Sequence, residues 1–447
     1  MPEADGRAFV FLPCAAGVEA FLGEEAHRIV AQAGVSGVEW EPVRGGVGLR
    51  APAPGAARLV LALNLESRLA QRVLWRVAVG EYRDEHGVHE LARGVRWHEW
   101  IAPDQSLRVD TTSRRSPLRS LRFASLRVKD AVCDRMRERT GSRPDVSLDA
   151  PDLPLLLHLE EQVAALYVDT SGEALFKRGW RTQTGDAPLK ETLAAALLAA
   201  AGWTGCAGDP PLLDPCCGAG TIAIEAAQMA CGIAPGGRRR FAFERLGPFR
   251  GMGRDWREMG AAARARVHAP TAEVFASDMA RRMVEQARHN AGRAGVGEAI
   301  AFSVADALVR TAPADTGVLV LNPPYGARMA PRGPRGPRGG ATGRASSASP
   351  EPSADAGEPG GDATTAAFVA GLAAHWKRAY TGWTAWVLSP DPRLPTAMRL
   401  EARRRVPLWN GPIECRLFRF DMVAGSNRRR PAPAPGEPRE TPEGGSG

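Results

Sequence analysis

The chain has 447 residues, more than one ordinary domain and enough for two or three. Hydrophobic residues are 44% and charged residues 24%, which excludes a wholly disordered chain and supplies material for a core. The formal charge of +8 fits a polyanionic partner but does not name one, since a GC-rich coding sequence gives the same arginine excess.

The seven cysteines are Cys14, Cys133, Cys206, Cys216, Cys217, Cys231 and Cys415. None forms a C-x-x-C pair and the count is odd, which disfavours a zinc ribbon and a disulfide scaffold. The first residues, MPEADGRAFVFLP, lack the long apolar run of a secretory signal. No stretch approaches about 18 uncharged apolar residues, so no transmembrane helix is expected. The expectation is a reduced, cytoplasmic protein.

Residues 8–12 form an apolar run that reads as a strand. Residues 18–33 have helical spacing, with Val18, Phe21, Leu22, Ala26, Ile29 and Val30 on one stripe. Two short strands, 38–42 and 47–49, flank the turn signal Arg44-Gly45-Gly46. A second helix is predicted over 59–79 and a strand over 107–111. A helix over 120–138 offers Leu121, Ala124, Leu126, Val128, Val132 and Met136 for burial. Its other face carries Arg122, Arg127, Lys129, Arg135 and Arg137, and Arg114, Arg115 and Arg119 precede it. Such a run is either a solvated face or a phosphate-contacting surface. Strands 153–159 and 163–169 are predicted to pair across 160–162. This half reads as α+β, without a parallel βαβ rhythm.

The rhythm changes after Trp180. Helices are predicted over 189–201, 221–230 and 281–294, and strands over 212–214, 273–277, 301–304, 318–321 and 384–388. The alternation indicates a doubly wound parallel sheet. Residues 331–362 are low in complexity, beginning PRGPRGPRGG, and read as a disordered insert. The Pro/Gly-rich tail 425–447 reads the same way.

The strongest chemical signal is Asn322-Pro323-Pro324-Tyr325 at the end of an apolar strand. In α/β sheets, ligands sit outside the carboxyl ends of strands. An Asn carbonyl and a backbone carbonyl can accept both N–H bonds of an exocyclic amine, raising electron density on its nitrogen. The prolines fix φ, and a tyrosine ring can stack on a base swung out of its helix. The alternative is a tight proline turn. The second signal is Leu213-Asp214-Pro215-Cys216-Cys217-Gly218-Ala219-Gly220, whose glycines let the backbone approach a cofactor. The G-x-G-x-x-A spacing also occurs in dinucleotide folds, but no acid ends a strand about 20 residues on. Asp278 and Asp306 end later strands, where they can meet a ribose diol and an adenine amine, or serve as helix caps. Strand-end acids spaced this way fit S-adenosylmethionine better than NAD. Neither Cys216 nor Cys217 has a histidine partner in sequence, and His289 and His375 fall on predicted helices.

DPCCGAGTIAIEAA followed by NPPYGAR resembles the class I methyltransferases that carry a THUMP domain, in particular the bacterial 23S ribosomal RNA guanine-N2 methyltransferases. PLKETLAAA, VEQARHNAGRAG and NGPIEC add to the resemblance, as does RVKDAVCDRMRERTGSRPDVSLDAPDLPLLLHL upstream. The likeness runs from about residue 8 to 424. It implies a ferredoxin-like subdomain over 1–55, a THUMP RNA-binding domain over 56–172, and a Rossmann-like α/β methyltransferase domain with a seven-stranded sheet over 181–424. It places Asp214, Cys217, Gly218 and Gly220 at the methionine side of S-adenosylmethionine, Asp278 at the ribose and Asp306 at the adenine. Asn322, Pro323, Pro324 and Tyr325 fall at the target amine, and Pro188, Lys190 and Glu191 in a motif that closes over the cofactor. The RNA partner, 23S rRNA in preference to the alternative of tRNA, is expected at Arg114, Arg115, Arg119, Arg122, Arg127 and Lys129. No metal and no membrane are expected. Some members of the family fuse a second methyltransferase, which is not expected here, and where the family has a compact loop after NPPYG this chain carries the insert 331–362. A non-catalytic RNA-binding ribosome-assembly factor is the alternative of a different class.

Overall fold

The structure, a computed structural model, describes residues 6–181, 189–323 and 359–423. The first half is one mixed sheet with helices packed on it. In chain order it comprises β1 (Arg7–Pro13), α1 (Glu19–Ala33), β2 (Glu39–Val43), β3 (Gly46–Pro52), α2 (Ala53–Glu66), β4 (Leu74–Glu81), α3 (Glu85–Arg93), β5 (Ser106–Arg114), α4 (Leu121–Thr140), β6 (Asp145–Val146), β7 (Leu153–Glu160) and β8 (Val163–Asp169). Its eight strands run in the order β2-β3-β1-β4-β8-β7-β5-β6. The stripe expected on α1 is buried at Leu22, Ala26 and Ile29. The hairpin expected between β7 and β8 is present, with Glu160 opposite Val163.

Four expectations are corrected here. The helix predicted over 59–79 ends at Glu66, and the chain re-emerges as β4. Buried Glu25 takes hydrogen bonds from Ser67 Oγ (2.7 Å) and the Arg68 and Leu69 amides (2.9 and 3.2 Å), which fixes the turn between them. β4 then pairs with both β1 and β8, a tertiary demand that overrides helical spacing. The boundary expected at 55/56 falls inside α2, which packs on β1 and β3, so the two subdomains share a helix and a sheet. The first half does contain parallel pairing, because α4 crosses over to bring β6 and β7 alongside β5. On α4, Leu126 is exposed rather than buried.

The second half comprises α5 (Glu191–Ala201), β9 (Leu212–Asp214), α6 (Thr221–Ala230), α7 (Gly253–Ala265), β10 (Val274–Asp278), α8 (Arg281–Ala294), β11 (Ile300–Val304), β12 (Gly317–Leu321), α9 (Pro359–Ala379), β13 (Trp383–Ser389), α10 (Leu394–Met398), β14 (Arg404–Asn410) and β15 (Ile413–Asp421). Its seven strands run β11-β10-β9-β12-β13-β15-β14. The first five are parallel, while β15 is antiparallel to both β13 and β14. β12 is buried along its whole length, as a central strand covered on both faces must be. The chain winds outward from β9 to β11 and then returns to β12. The order therefore reverses between β9 and β12, and that crevice is where such sheets hold ligands. Helix α9 starts at Pro359, so residues 359–362 of the expected insert are helical, while 331–358 lie outside the described residues. The tail 425–447 lies outside them as well.

The segment after α6 joins the two sheets. Gly247 donates its amide to the Trp100 carbonyl at 2.7 Å, and a Cβ there would collide with the Glu99 carbonyl. Phe249 sits edge-on to Trp75 (5.9 Å), as Phe243 does to Trp256 (5.1 Å). A buried ion cluster lies in the same interface. Glu225 on α6 receives Arg68 and Arg178, each at 3.1 Å, and its side chain has no exposed surface.

Candidate active site

β9 ends on Asp214, and the glycine turn that follows is tied to the neighbouring strand. Cys217 donates its amide to the Ser277 carbonyl (2.9 Å) and Gly218 to Asp278 Oδ2 (3.1 Å). The other Asp278 oxygen accepts from the Ala280 amide at 2.9 Å. Gly220 opens α6 at φ 86°, and a Cβ there would lie 3.0 Å from Ala287 Cβ on α8. A side chain at that position would strain the backbone and push α8 away. From α8, Asn290 Nδ2 donates to the Ala219 carbonyl at 3.0 Å. Asn290 is fully buried and its Oδ1 has no partner among the described residues. Its positioning role escaped the sequence reading, because an Asn among the polar residues of an amphipathic helix gives no local sign of facing inward.

Asp306 follows β11 and accepts from the Leu308 amide at 2.9 Å, while Ala305 donates to the Asp278 carbonyl at 3.1 Å. The loops bearing the two acids are thereby joined. No cationic side chain pairs with Asp214, Asp278 or Asp306 among the described residues. Burial raises the Asp214 carboxyl to about 8, and the charge of Asp278 pushes the same way. The Cys216 and Cys217 thiols are also pushed up by burial and by these carboxylates, so both stay protonated and neither is a ready nucleophile. His375 contacts the Arg310 carbonyl at 2.6 Å beneath Tyr380, a core role, and His289 is exposed on α8.

Glu191 is buried and accepts from Arg181 Nε at 3.0 Å; Arg181 also reaches Thr221 Oγ1 at 2.9 Å. Its carboxylate thus steadies the first turn of α6. Lys190 is exposed, with its ammonium 5.1 Å from the Phe176 ring centre. Pro188 lies outside the described residues.

β12 pairs with β9 through Leu319 opposite Leu213. Asn322 therefore leaves the sheet at the same edge as the glycine turn, on the far side of the switch point. Pro323 is buried beside it, whereas Pro324 and Tyr325 lie outside the described residues. Asp214, Cys217, Gly218, Gly220, Asp278 and Asp306 stand together on one side of the crevice and Asn322 and Pro323 on the other. The basic surface is distant in sequence and divides in two. Arg114 pairs with Glu160 (2.9 Å), Arg115 with Glu161 (3.3 Å) and Lys129 with Asp130 (2.6 Å). Arg119, Arg122 and Arg127 have no acidic partner among the described residues.

A doubly wound sheet with this glycine turn, strand-end acids and an Asn-Pro at the switch point defines a class I methyltransferase domain. The family model described as the RMKL-like methyltransferase domain matches residues 178–334, and the THUMP domain model matches residues 82–169. The chain carries a THUMP domain followed by an RMKL-like methyltransferase domain. It is 34% identical to the ribosomal RNA large subunit methyltransferase K/L of Shewanella loihica over 83% of this chain and 48% of that protein. With the protein of the same name from Photobacterium profundum the identity is 33%, over 94% of this chain and 54% of that one. The chain thus spans about half the length of the curated relatives it matches. In fold it is similar to SMU.472, a putative methyltransferase complexed with SAH (TM-score 0.76, 23% identity, 94% of this chain and 100% of that one). It is likewise similar to a possible methylase from Clostridium difficile 630 (TM-score 0.75, 22% identity, 94% and 100%). Among the described residues, no helix is long and apolar enough to cross a membrane.

Proposed function

We propose that this chain transfers a methyl group from S-adenosylmethionine to the exocyclic N2 of a guanine in RNA, with 23S rRNA as the substrate. The observation that carries the reading is the placement of Asn322 across the switch point from the glycine turn and from Asp214, Asp278 and Asp306, three acids with no cationic partner among the described residues. The donor set fits the cofactor. Asp278 can take a ribose diol, Asp306 can accept from the adenine amine, and buried Asp214 favours a cationic neighbour over solvent. The curated relatives named for methylation of large-subunit ribosomal RNA support the choice of substrate.

S-adenosylmethionine supplies an electrophilic methyl on a sulfonium. The chain's own contribution is to hold a poor nucleophile in place, because the lone pair of an aryl amine is delocalised into the base. The Asn322 carbonyl oxygen accepts one amine N–H and a backbone carbonyl of the Asn-Pro-Pro turn accepts the other. Those acceptors strengthen as positive charge develops on nitrogen, which is when they lower the barrier. Pro323 has no N–H to compete, and the residue before a proline is biased to extended backbone, so the Asn322 carbonyl is aimed by the chain itself. Tyr325 is assigned to stack on the base, and Lys190 to a segment that closes over the cofactor.

Asp278→Ala is expected to weaken S-adenosylmethionine binding by about 1.5–3 kcal/mol, the scale of a hydrogen bond to a charged group. Asp278→Asn keeps one acceptor for the Gly218 or Ala280 amide and should lose less. Unchanged affinity by calorimetry in Asp278→Ala would remove the residue from the site. For RNA, the ion pairs single out Arg119, Arg122 and Arg127 as the cations free to meet phosphate, with Arg114, Arg115 and Lys129 already partly neutralised. Reversing Arg122 and Arg127 to Glu should lower the salt slope of RNA binding by roughly two, one for each phosphate no longer neutralised. An unchanged slope would assign α4 to a merely solvated face. The substrate assignment is tested by mapping modified nucleotides in rRNA and tRNA from a gene-deletion strain by mass spectrometry. Loss of N2-methylguanosine from 23S rRNA is expected; loss from tRNA alone would transfer the proposal to tRNA.

A further inference from the structure

The exposed face of α4 carries more than charge. Phe123 is 49% exposed and Leu126 44% exposed, and Phe123 is the one aromatic among the exposed large hydrophobics of the described residues, on a helix already anchored by Ala124, Val128, Ala131 and Val132. Residues 122 and 126 are one turn apart, as are 123 and 127, so Arg122, Phe123, Leu126 and Arg127 form one continuous surface opposite the buried stripe. The Phe123 ring has no aromatic or cationic partner among the described residues. Its backbone is fixed, since its amide donates to the capping hydroxyl of Ser120 at 3.2 Å. The ring is therefore carried on fixed backbone at the helix start, with Arg122 and Arg127 on the same helix face and Arg119 just before the cap.

We infer that Phe123 is a stacking platform for an unpaired base, in a site on α4 that takes single-stranded RNA rather than duplex. The inference rests on the RNA reading above and adds the form of RNA recognised. A phosphate-only surface needs cations and gains nothing from a half-exposed phenyl ring. A duplex cannot use one either, because its base faces are stacked out of reach. A strand with splayed bases uses both, with its phosphates against Arg119, Arg122 and Arg127 and one base on Phe123 above the apolar shelf of Leu126.

The experiment uses the full chain and two fluorescent probes, a 12-nucleotide oligo(A) RNA and an abasic ribose-phosphate oligomer of the same length. Stacking and charge separate cleanly, because only the phosphates set the salt slope. Phe123→Ala is expected to weaken oligo(A) binding about tenfold with the slope unchanged, and to leave the abasic probe unaffected. Phe123→Trp should restore oligo(A) affinity. Thermal melts of both variants should match the parent, since the position is half exposed. Oligo(A) binding within twofold of the parent in Phe123→Ala, or an equal loss on both probes, would overturn the platform while leaving RNA binding intact. Failure of the parent chain to bind either probe would overturn the RNA reading and the platform with it. A concentration-dependent dimer abolished by Phe123→Ala would assign the patch to a second copy of the chain and also overturn it.

Discussion

Asn322→Ala is expected to slow methyl transfer by about 10²–10³-fold while leaving S-adenosylmethionine binding at the parental level. The separation follows from where the residue stands. The acids and the glycine turn assigned to the cofactor are borne by the ends of β9, β10 and β11, and Asn322 lies across the switch point at the end of β12. β12 itself is buried throughout and its backbone is held by pairing with β9 and β13. The alanine still precedes a proline and keeps its extended bias. What disappears is one acceptor that strengthens as the amine becomes positive. Single-turnover rates at saturating cofactor measure the effect, and a near-parental rate would show that the amine is held by other groups.

Glu225→Ala is expected to destabilise the chain by about 3–5 kcal/mol, the cost of breaking a buried ion cluster from one side. Two guanidiniums, from Arg68 in the first sheet's unit and Arg178 in the linker, converge on this one carboxylate. The Arg178 side chain is 2% exposed and also donates to the Leu175 and Arg68 carbonyls at 2.9 and 2.7 Å, so it cannot swing out to water. Burial and the charge of Arg178 both push the Arg68 guanidinium down from its ordinary value, and Glu225 opposes them. Without Glu225, two like charges remain in a site that excludes solvent. Urea unfolding compared with the parent checks this. A loss below about 1 kcal/mol would mean that the interface relaxes enough to hydrate both arginines. Because Glu225 lies in the helix that the glycine turn opens, Glu225→Ala should also weaken cofactor binding.

Much of the methyltransferase half was legible because its signals are local. An apolar strand, a glycine turn and an apolar helix announce β9 and α6, and Asn-Pro-Pro-Tyr marks the end of β12 without reference to anything distant. The bend between α2 and β4 was not legible, because it is enforced by Glu25, 42 residues before Ser67, and by strands on either side of β4. The added elements α3, α7, β14 and β15 are short or amphipathic, and they gain definition only by packing on neighbours. Within the site, strand-end acids could be read from the pattern. That Asn290 steadies the glycine turn, that Glu191 is occupied by Arg181, and that in the basic run Arg119, Arg122 and Arg127 lack a counter-ion among the described residues all depend on contacts that sequence spacing does not show.

The central claim is that the chemistry at Asn322 is methylation of a guanine amine. Purified chain, S-adenosylmethionine carrying a labelled methyl and a 23S rRNA transcript can be incubated, and the RNA digested to nucleosides for mass spectrometry. The account predicts one labelled product, N2-methylguanosine, made by the parent and reduced about 10²–10³-fold in Asn322→Ala. Label on an adenine or on a ring nitrogen of guanine, or parental yield from the variant, would contradict it.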